Sequence, residues 1–141
     1  MLFIFDTNIL VSAIIKPDSV PAQALAKATQ HGRLAFSEET RIELLNTLSN
    51  TKFDRYRSAT ERVAVADAIT APAFFSSSIV QEDIYCRDQN DTKFLLLAIS
   101  AKATCIVTGD KDLTALNPFR GIPILTPTDF LSWNITTAVL A

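Results

Sequence analysis

The stretch Leu2-Phe3-Ile4-Phe5-Asp6-Thr7-Asn8 decides how the chain is read. Leu2 to Phe5 is a short apolar run with no polar face, the pattern of a strand covered on both sides in a parallel sheet. Asp6 follows at once. An acid placed where such a strand ends lies at the carboxyl edge of the sheet, where open α/β folds bind ligands. A later stretch repeats the pattern: Thr104-Cys105-Ile106-Val107-Thr108 runs into Gly109-Asp110-Lys111-Asp112. Asp6, Asp110 and Asp112 are therefore candidates for chemistry.

Helical and extended patterns alternate around these two runs. From Asn8 to Ile15 the residues Ile9, Leu10, Ala13 and Ile14 recur with a helical period, with Thr7 or Asn8 as the expected cap. Lys16-Pro17-Asp18-Ser19 breaks that helix. A second helix is predicted from about Pro21 to His31, closed by Gly32. Leu34-Ala35-Phe36 reads as a short strand. Ser37 reads as an N-cap, with Glu38 and Glu39 favoured by the helix dipole in the first turn. The spacing predicts Ile42, Leu45 and Leu48 on the inward stripe of this helix, with Glu43 at its edge. A helix from about Ala59 to Ile69 is expected to turn Val63 and Ala66 inward before Pro72 stops it. Ala73-Phe74-Phe75 and Ile79-Val80 are weak strand signals. Cys86 to Asp91 is a polar loop leading into the most apolar helix, Lys93 to Ala103. Ile122 to Leu125 is a late strand, and Pro123, lacking an N–H, points to a sheet edge. A last short helix starts at Thr126 or Thr128 and runs through Phe130 and Leu131.

This alternation implies an α/β fold with a mainly parallel sheet and helices on both faces. Right-handed crossovers then bring every strand's carboxyl end to one edge. With 141 residues, the chain reads as one domain over residues 1–133, followed by a tail at 134–141 expected to fray. Its hydrophobic content of 48% is too high for disorder. A net charge of −2 argues against a broad basic surface for tight, sequence-independent nucleic-acid binding. Two cysteines, Cys86 and Cys105, are too few for a disulfide scaffold. No leader pattern or membrane-spanning run is seen, so a cytoplasmic chain with free thiols and no membrane partner is expected.

Asp91, at a helix start, joins the strand-terminal acids, and Glu43 could project toward them. Clustered carboxylates repel: two unit charges 4 Å apart cost about 4 kcal/mol at an effective dielectric of 20. Such a cluster takes up protons, basic partners or metal. Oxygen ligands without histidine or thiolate suit Mg²⁺ or Mn²⁺, and such ions fit phosphodiester hydrolysis. Each acid also has a plainer use. Asp6, Asp91 and Asp112 could cap helices, Glu43 could be a solvated helix residue, and Asp88 suits turn chemistry. Asn8 and Thr108 could be capping polars or hydrogen-bond partners of the acids. Lys16, Lys52, Arg55, Arg57 and Lys93 are scattered cations that could hold a substrate or simply face water. Phe53, Tyr56 and Trp133 could serve an interface or the core.

The sequence resembles the PIN-domain family of metal-dependent nucleases from Phe3 to about Trp133. The carriers are Phe5-Asp6-Thr7-Asn8-Ile9-Leu10, Ser37-Glu38-Glu39 with Glu43-Leu44, Arg87-Asp88-Gln89-Asn90-Asp91-Thr92-Lys93-Phe94-Leu95, and Val107-Thr108-Gly109-Asp110-Lys111-Asp112-Leu113. The late Ile124-Leu125-Thr126-Pro127-Thr128-Asp129-Phe130-Leu131 is similar to the VapC-like branch, toxins of toxin–antitoxin pairs. The resemblance implies a three-layer α/β/α sandwich and Mg²⁺- or Mn²⁺-dependent endoribonuclease activity. It matches Asp6, Glu43, Asp91 and Asp110 to the family's acidic quartet and Asp112 to an additional acid. Asn8 and Thr108 match supporting polar residues, and Asp88 a loop acid. Gln89-Asn90 replaces the more acidic, Pro-containing loop usual in that branch. The resemblance further implies an RNA substrate, an antitoxin partner and homodimers. The rival readings are a phosphoacceptor receiver domain, a haloacid-dehalogenase-like phosphatase and a non-catalytic PIN-fold module binding RNA or protein. The first two want acids that Asp6-Thr7-Asn8 does not supply.

Overall fold

The structure is a computed structural model that describes residues 1–136. Its centre is a five-stranded, all-parallel sheet in the order β3-β2-β1-β4-β5. The strands are β1 (Leu2–Phe5), β2 (Arg33–Phe36), β3 (Phe74–Phe75), β4 (Cys105–Val107) and β5 (Ile124–Leu125). The helices are α1 (Thr7–Ile15), α2 (Val20–His31), α3 (Glu38–Leu48), α4 (Ala59–Thr70), α5 (Thr92–Ala101), α6 (Lys111–Thr114) and α7 (Pro127–Ser132). Short 3-10 turns at Thr51–Phe53 and Gln89–Asp91 complete the order.

Alternation along the strands builds two cores. Phe3, Phe5, Leu34, Phe36, Cys105 and Val107 face α1, α2, α3, α4 and α7. Ile4, Ala35 and Ile106 face α5 and α6. The central strands β1, β2 and β4 are thus buried on both sides, the edge strand β3 leaves Phe75 exposed, and the layers are helix, sheet, helix. The chain builds outward from β1 to β3, then returns through α5 to place β4 on the other flank of β1. β1 and β4 pair in register, with Phe5 opposite Val107. The strand order reverses between them, and the crevice at such a switch point is the natural ligand site of an open α/β sheet.

Several local devices hold this frame. Ser37 and Thr40 form a reciprocal capping box at the start of α3. Gly32 packs so tightly on the start of β1 that a Cβ there would lie 2.2 Å from the Met1 carbonyl oxygen. Phe130 of α7 meets Phe3 and Phe5 edge-on, with ring centroids 5.6 and 6.0 Å away. Lys27 reaches from α2 to donate to the carbonyls of Phe130, Leu131 and Trp133 at 2.7, 3.1 and 2.6 Å, satisfying the carboxyl end of α7.

Some expected details change. Ile42 is 44% exposed, and the buried stripe of α3 is Thr40, Leu44 and Leu48. The capping box turns Thr40 inward, and positions four apart follow it. On α4, Val63 is 54% exposed while Arg62 is 1% exposed beside buried Ala66. Arg62 is inward because its guanidinium has work there. It donates to the Leu48 carbonyl at 2.8 Å and to Asp54 at 2.9 Å, and also to the Arg57 and Asn50 carbonyls. Ile79-Val80 forms no strand, because β3 ends at Phe75. Asp6, rather than Thr7 or Asn8, caps α1. Phe53 belongs to the core. Of the expected tail, Ile135 is buried in the larger core cluster, and residues 137–141 lie outside those described. No helix among the described residues is long and apolar enough to cross a membrane.

Arg62→Met should cost about 2–4 kcal/mol in urea unfolding, because it leaves the buried Leu48 carbonyl and the partly buried Arg57 and Asn50 carbonyls without their donor. Val63→Ala, one residue on, should cost no more than about 0.5 kcal/mol. Equal costs would return α4 to the facing that the apolar pattern suggests.

Candidate functional site

The acids are placed by backbone before they are placed by side chain. The Asp6 N–H donates to the Val107 carbonyl at 2.9 Å, extending the β1–β4 pairing by one residue. Asp6 then starts α1, its Oδ1 accepting from the Asn8 N–H at 3.4 Å. Across the crevice, Thr108 is fully buried. Its hydroxyl accepts from the Asp110 N–H at 3.0 Å and donates to Asp6 Oδ2 at 2.8 Å. Asp110 in turn caps α6, accepting from the Asp112 N–H at 2.8 Å. Thr108 therefore orients Asp6 and ties the two strand ends together.

Asp91 behaves differently. It stands at the N-cap position of α5, yet its side chain makes no capping bond. Its Oδ2 is buried without a hydrogen-bond partner, alone in this among the described residues. Burial is the main cause that pushes its carboxyl up to about 7, followed by a hydrogen bond with Asp110 that needs a shared proton, and then by the charges of Asp110, Asp88 and Asp6. Burial also raises Asp6, against the lowering effect of the Thr108 bond, with Asp110 and Glu43 adding repulsion.

One ligand oxygen each from Asp88, Asp91, Asp110 and Asp112 lies within 4.8 Å of the others. Opposite ligands of a Mg²⁺-sized ion stand about 4.2 Å apart, so Asp88, Asp91, Asp110 and Asp112 are close enough that small side-chain rotations would let them hold one hard cation. An all-oxygen donor set and an orphaned carboxylate oxygen both fit such an ion. Asp6 lies outside this tight group. It shares with Asn8, Glu43, Asp88, Asp91 and Asp110 a cavity of about 260 Å³. Asp88 has a double position, since its Oδ1 also accepts the Asn90 N–H at 3.0 Å. Asp112 is half-buried and has the Arg87 guanidinium 3.9 Å away.

Glu43 enters the cavity from α3 with both oxygens engaged. The Thr7 hydroxyl donates to Oε1, and Lys93 Nζ sits 2.5 Å from Oε2. Lys93 also donates to the Asn90 carbonyl, and its side chain is only 9% exposed. Lys93 is thus a component of the cavity wall and not a loose surface cation. The sequence marks Thr7 only as a possible cap and Lys93 only as a possible phosphate contact, because their partner lies 36 and 50 positions away along the chain. Lys16, Lys52, Arg55 and Arg57 do not line this cavity. Lys16 and Arg55 instead flank the Tyr56 ring. Cys86 and Cys105 are free and buried. Burial pushes the Cys105 thiol up to about 12.

The raised Asp91 carboxyl makes a pH dependence. Its unfolded value is near 3.8, so between about pH 4 and pH 7 the folded chain keeps a proton that the unfolded chain has shed. Stability in a chelator should therefore fall as pH rises through that window. Thermal unfolding should show this slope, and Asp91→Asn should flatten it and raise the melting temperature near pH 8. An unchanged slope in the variant would place the strain elsewhere.

Comparison with known proteins places the chain in one family. A relative in Methanocaldococcus jannaschii, itself uncharacterized, is 26% identical over 115 residues, 80% of this chain and 73% of that protein. The fold is similar to VapBC2 from Rickettsia felis, solved bound to a DNA fragment from their promoter. That match has a TM-score of 0.62 and 16% identity, covering 89% of this chain and 98% of the other. VapBC-1 from nontypeable Haemophilus influenzae matches with a TM-score of 0.58 and 15% identity, covering 91% of this chain and 99% of the other. The model of the PIN domain matches residues 3–112, most of the sequence, and the chain belongs to the PIN domain family.

Proposed function

We propose that this PIN domain is a divalent-metal-dependent endoribonuclease, hydrolysing RNA phosphodiester bonds as the toxin of a toxin–antitoxin pair. The observation that carries the reading is the buried, partnerless Asp91 Oδ2 inside a cavity lined by five acids, Asp6, Glu43, Asp88, Asp91 and Asp110. A group so placed costs free energy in the absence of a ligand. Asp6, Asp91 and Asp110 would hold Mg²⁺ or Mn²⁺, with Asp112 and Asp88 completing the oxygen set directly or through water. A bound cation of this kind activates water and neutralises charge building on phosphorus.

The chain's own residues do the positioning. Thr108 fixes the face that Asp6 presents. Asn8 lines the same cavity and donates its N–H to Asp6. Glu43, held by Thr7 and Lys93, is set to accept a hydrogen bond from the attacking water. Lys93 supplies the cation nearest the cavity for a substrate phosphate. The likeness to VapBC proteins supports an antitoxin partner encoded beside this chain. The same reading makes the protein cytoplasmic and self-associating.

Cleavage of a short RNA should appear with Mn²⁺ or Mg²⁺ and vanish in EDTA. Asp6→Asn and Asp91→Asn should each lower it by roughly a hundredfold or more while circular dichroism stays native. Mn²⁺ should also raise the melting temperature of the parent chain but not of Asp91→Asn, a readout independent of turnover. Full activity of Asp6→Asn, or cleavage indifferent to EDTA, would overturn the assignment.

A further inference from the structure

The segment from Ser76 to Cys86 has no regular structure and carries the chain from β3 to the acidic turn at Asp88. Its last residues alternate sharply. Cys86 is buried in the core cluster under α5, while Tyr85 is 83% exposed and the Arg87 side chain is 83% exposed. Alternation of this kind places Tyr85 and Arg87 on one outward face of an extended segment, about 7 Å apart. Cys86, between them, lies close enough to feel the charges of Asp91, Asp110 and Asp112. Arg87 reaches to 3.9 Å from Asp112, one of the four clustered acids. A cavity of about 710 Å³ is lined by Tyr85, Arg87, Gln89 and Thr92, and Asp88, Asn90, Asp91 and Lys93, their neighbours along the chain, line the acidic one.

No other large apolar or aromatic side chain among the described residues is as exposed as Tyr85. A flat ring left in water two residues from Arg87, which itself reaches the acidic group, has a natural occupant in an unstacked nucleobase, because every base has a π-face. The Arg87 pairing is long and solvated, so it is weak and easily exchanged for a phosphate. A guanidinium also matches phosphate geometry. Two acids, Glu82 and Asp83, also line this cavity, and Glu82 is paired with Arg120 at 2.7 Å.

We propose that Tyr85 and Arg87 form a single-strand RNA subsite next to the acidic centre, with one base stacked on the Tyr85 ring and its neighbouring phosphate on Arg87. This rests on the nuclease reading for its substrate. Base-paired RNA has no free face to offer, so the subsite selects single strands. It is tolerant of base identity, since the contacts are a ring face and a phosphate.

The test is fluorescence titration of the full chain carrying Trp133→Phe and Tyr85→Trp, in EDTA so that no RNA is cut. Trp133 is the chain's one tryptophan, so the signal is unambiguous. A short unstructured RNA should quench the introduced indole, and a blunt RNA duplex should not. By anisotropy, Tyr85→Ala should weaken single-strand binding roughly tenfold, while Tyr85→Phe, which keeps the ring, should bind as the parent does. Arg87→Ala should weaken binding and lower the salt slope by about one. No quenching, equal quenching by duplex, or equal affinity of the Ala and Phe variants overturns the subsite. If the parent and Tyr85→Ala cleave RNA in Mn²⁺ with the same KM, the subsite falls and the nuclease reading stands. If no chain cleaves while single strands still quench, the nuclease reading falls and the stacking surface stands.

Discussion

Carboxylates forced together at the mouth of a parallel sheet are the constraint around which this structure is arranged. The register that sets Phe5 opposite Val107 brings Asp6 and Asp110 to the same end of adjacent strands. The return of the chain through α5 delivers Asp91 and Asp88 between them. At an effective dielectric of 20, each close pair of charges is worth about 4 kcal/mol of repulsion at 4 Å, comparable with a large part of a domain's stability. Two doubly covered cores and an internal threonine hold the acids where they would not otherwise stay. Most of them are partly relieved by backbone N–H groups. Asp6 caps α1, Asp110 caps α6, and Asp88 caps the turn before α5. Asp91 alone occupies a cap position without capping, and it is the acid whose oxygen is orphaned. The comparison within one site separates acids that serve the fold from the one the fold does not use.

Charge on the opposite wall is handled by pairing. α3 packs with the larger core and α5 with the smaller, so the two helices belong to different layers. They meet over the sheet's edge through Glu43 and Lys93, and the Asn90 carbonyl and Thr7 hydroxyl complete the contact. A nearly buried ammonium whose hydrogen bonds include a backbone carbonyl is well satisfied, and removing either charge would leave the other stranded. The pair therefore closes the cavity on one side and fixes the direction from which Glu43 faces it.

The features legible in the sequence were those set by short-range pattern. β1 and β4 announce themselves as apolar runs ending on acids, and a chain that alternates such runs with helical periods has few alternatives to a covered parallel sheet. What escaped was decided by distant partners. The apolar spacing on α3 admits two stripes, and only the capping box at Ser37 and Thr40 selects the one through Leu44. Val63 looks like the better core residue than Arg62 until the carbonyls of Leu48, Asn50 and Arg57 are brought to one place. Asp88 reads as turn chemistry, which it performs, but proximity to Asp91, Asp110 and Asp112 is invisible without the fold. Tyr85 carries no local signal at all, since its exposure depends on Cys86 facing the core.

In the proposed metal-dependent reading, a hard cation is favoured over a soft one by where the sulfur lies. Cys86 sits only two residues before Asp88, so on sequence alone a mixed thiolate–carboxylate site is conceivable. The thiol instead packs into the apolar cluster under α5, and no cysteine belongs to the four-acid group. Burial pushes that thiol upward, against a lowering hydrogen bond with the Asp88 backbone, and the negative charge of Asp91, Asp110 and Asp112 adds to the rise. The same acids that would attract a cation thus disfavour the one nearby ligand that would make the site soft. What remains facing the cavity, beside the Lys93 ammonium paired with Glu43 and the Phe94 ring, is oxygen from carboxylates, amides and hydroxyls, and oxygen donors of this kind suit magnesium and manganese far better than zinc or copper.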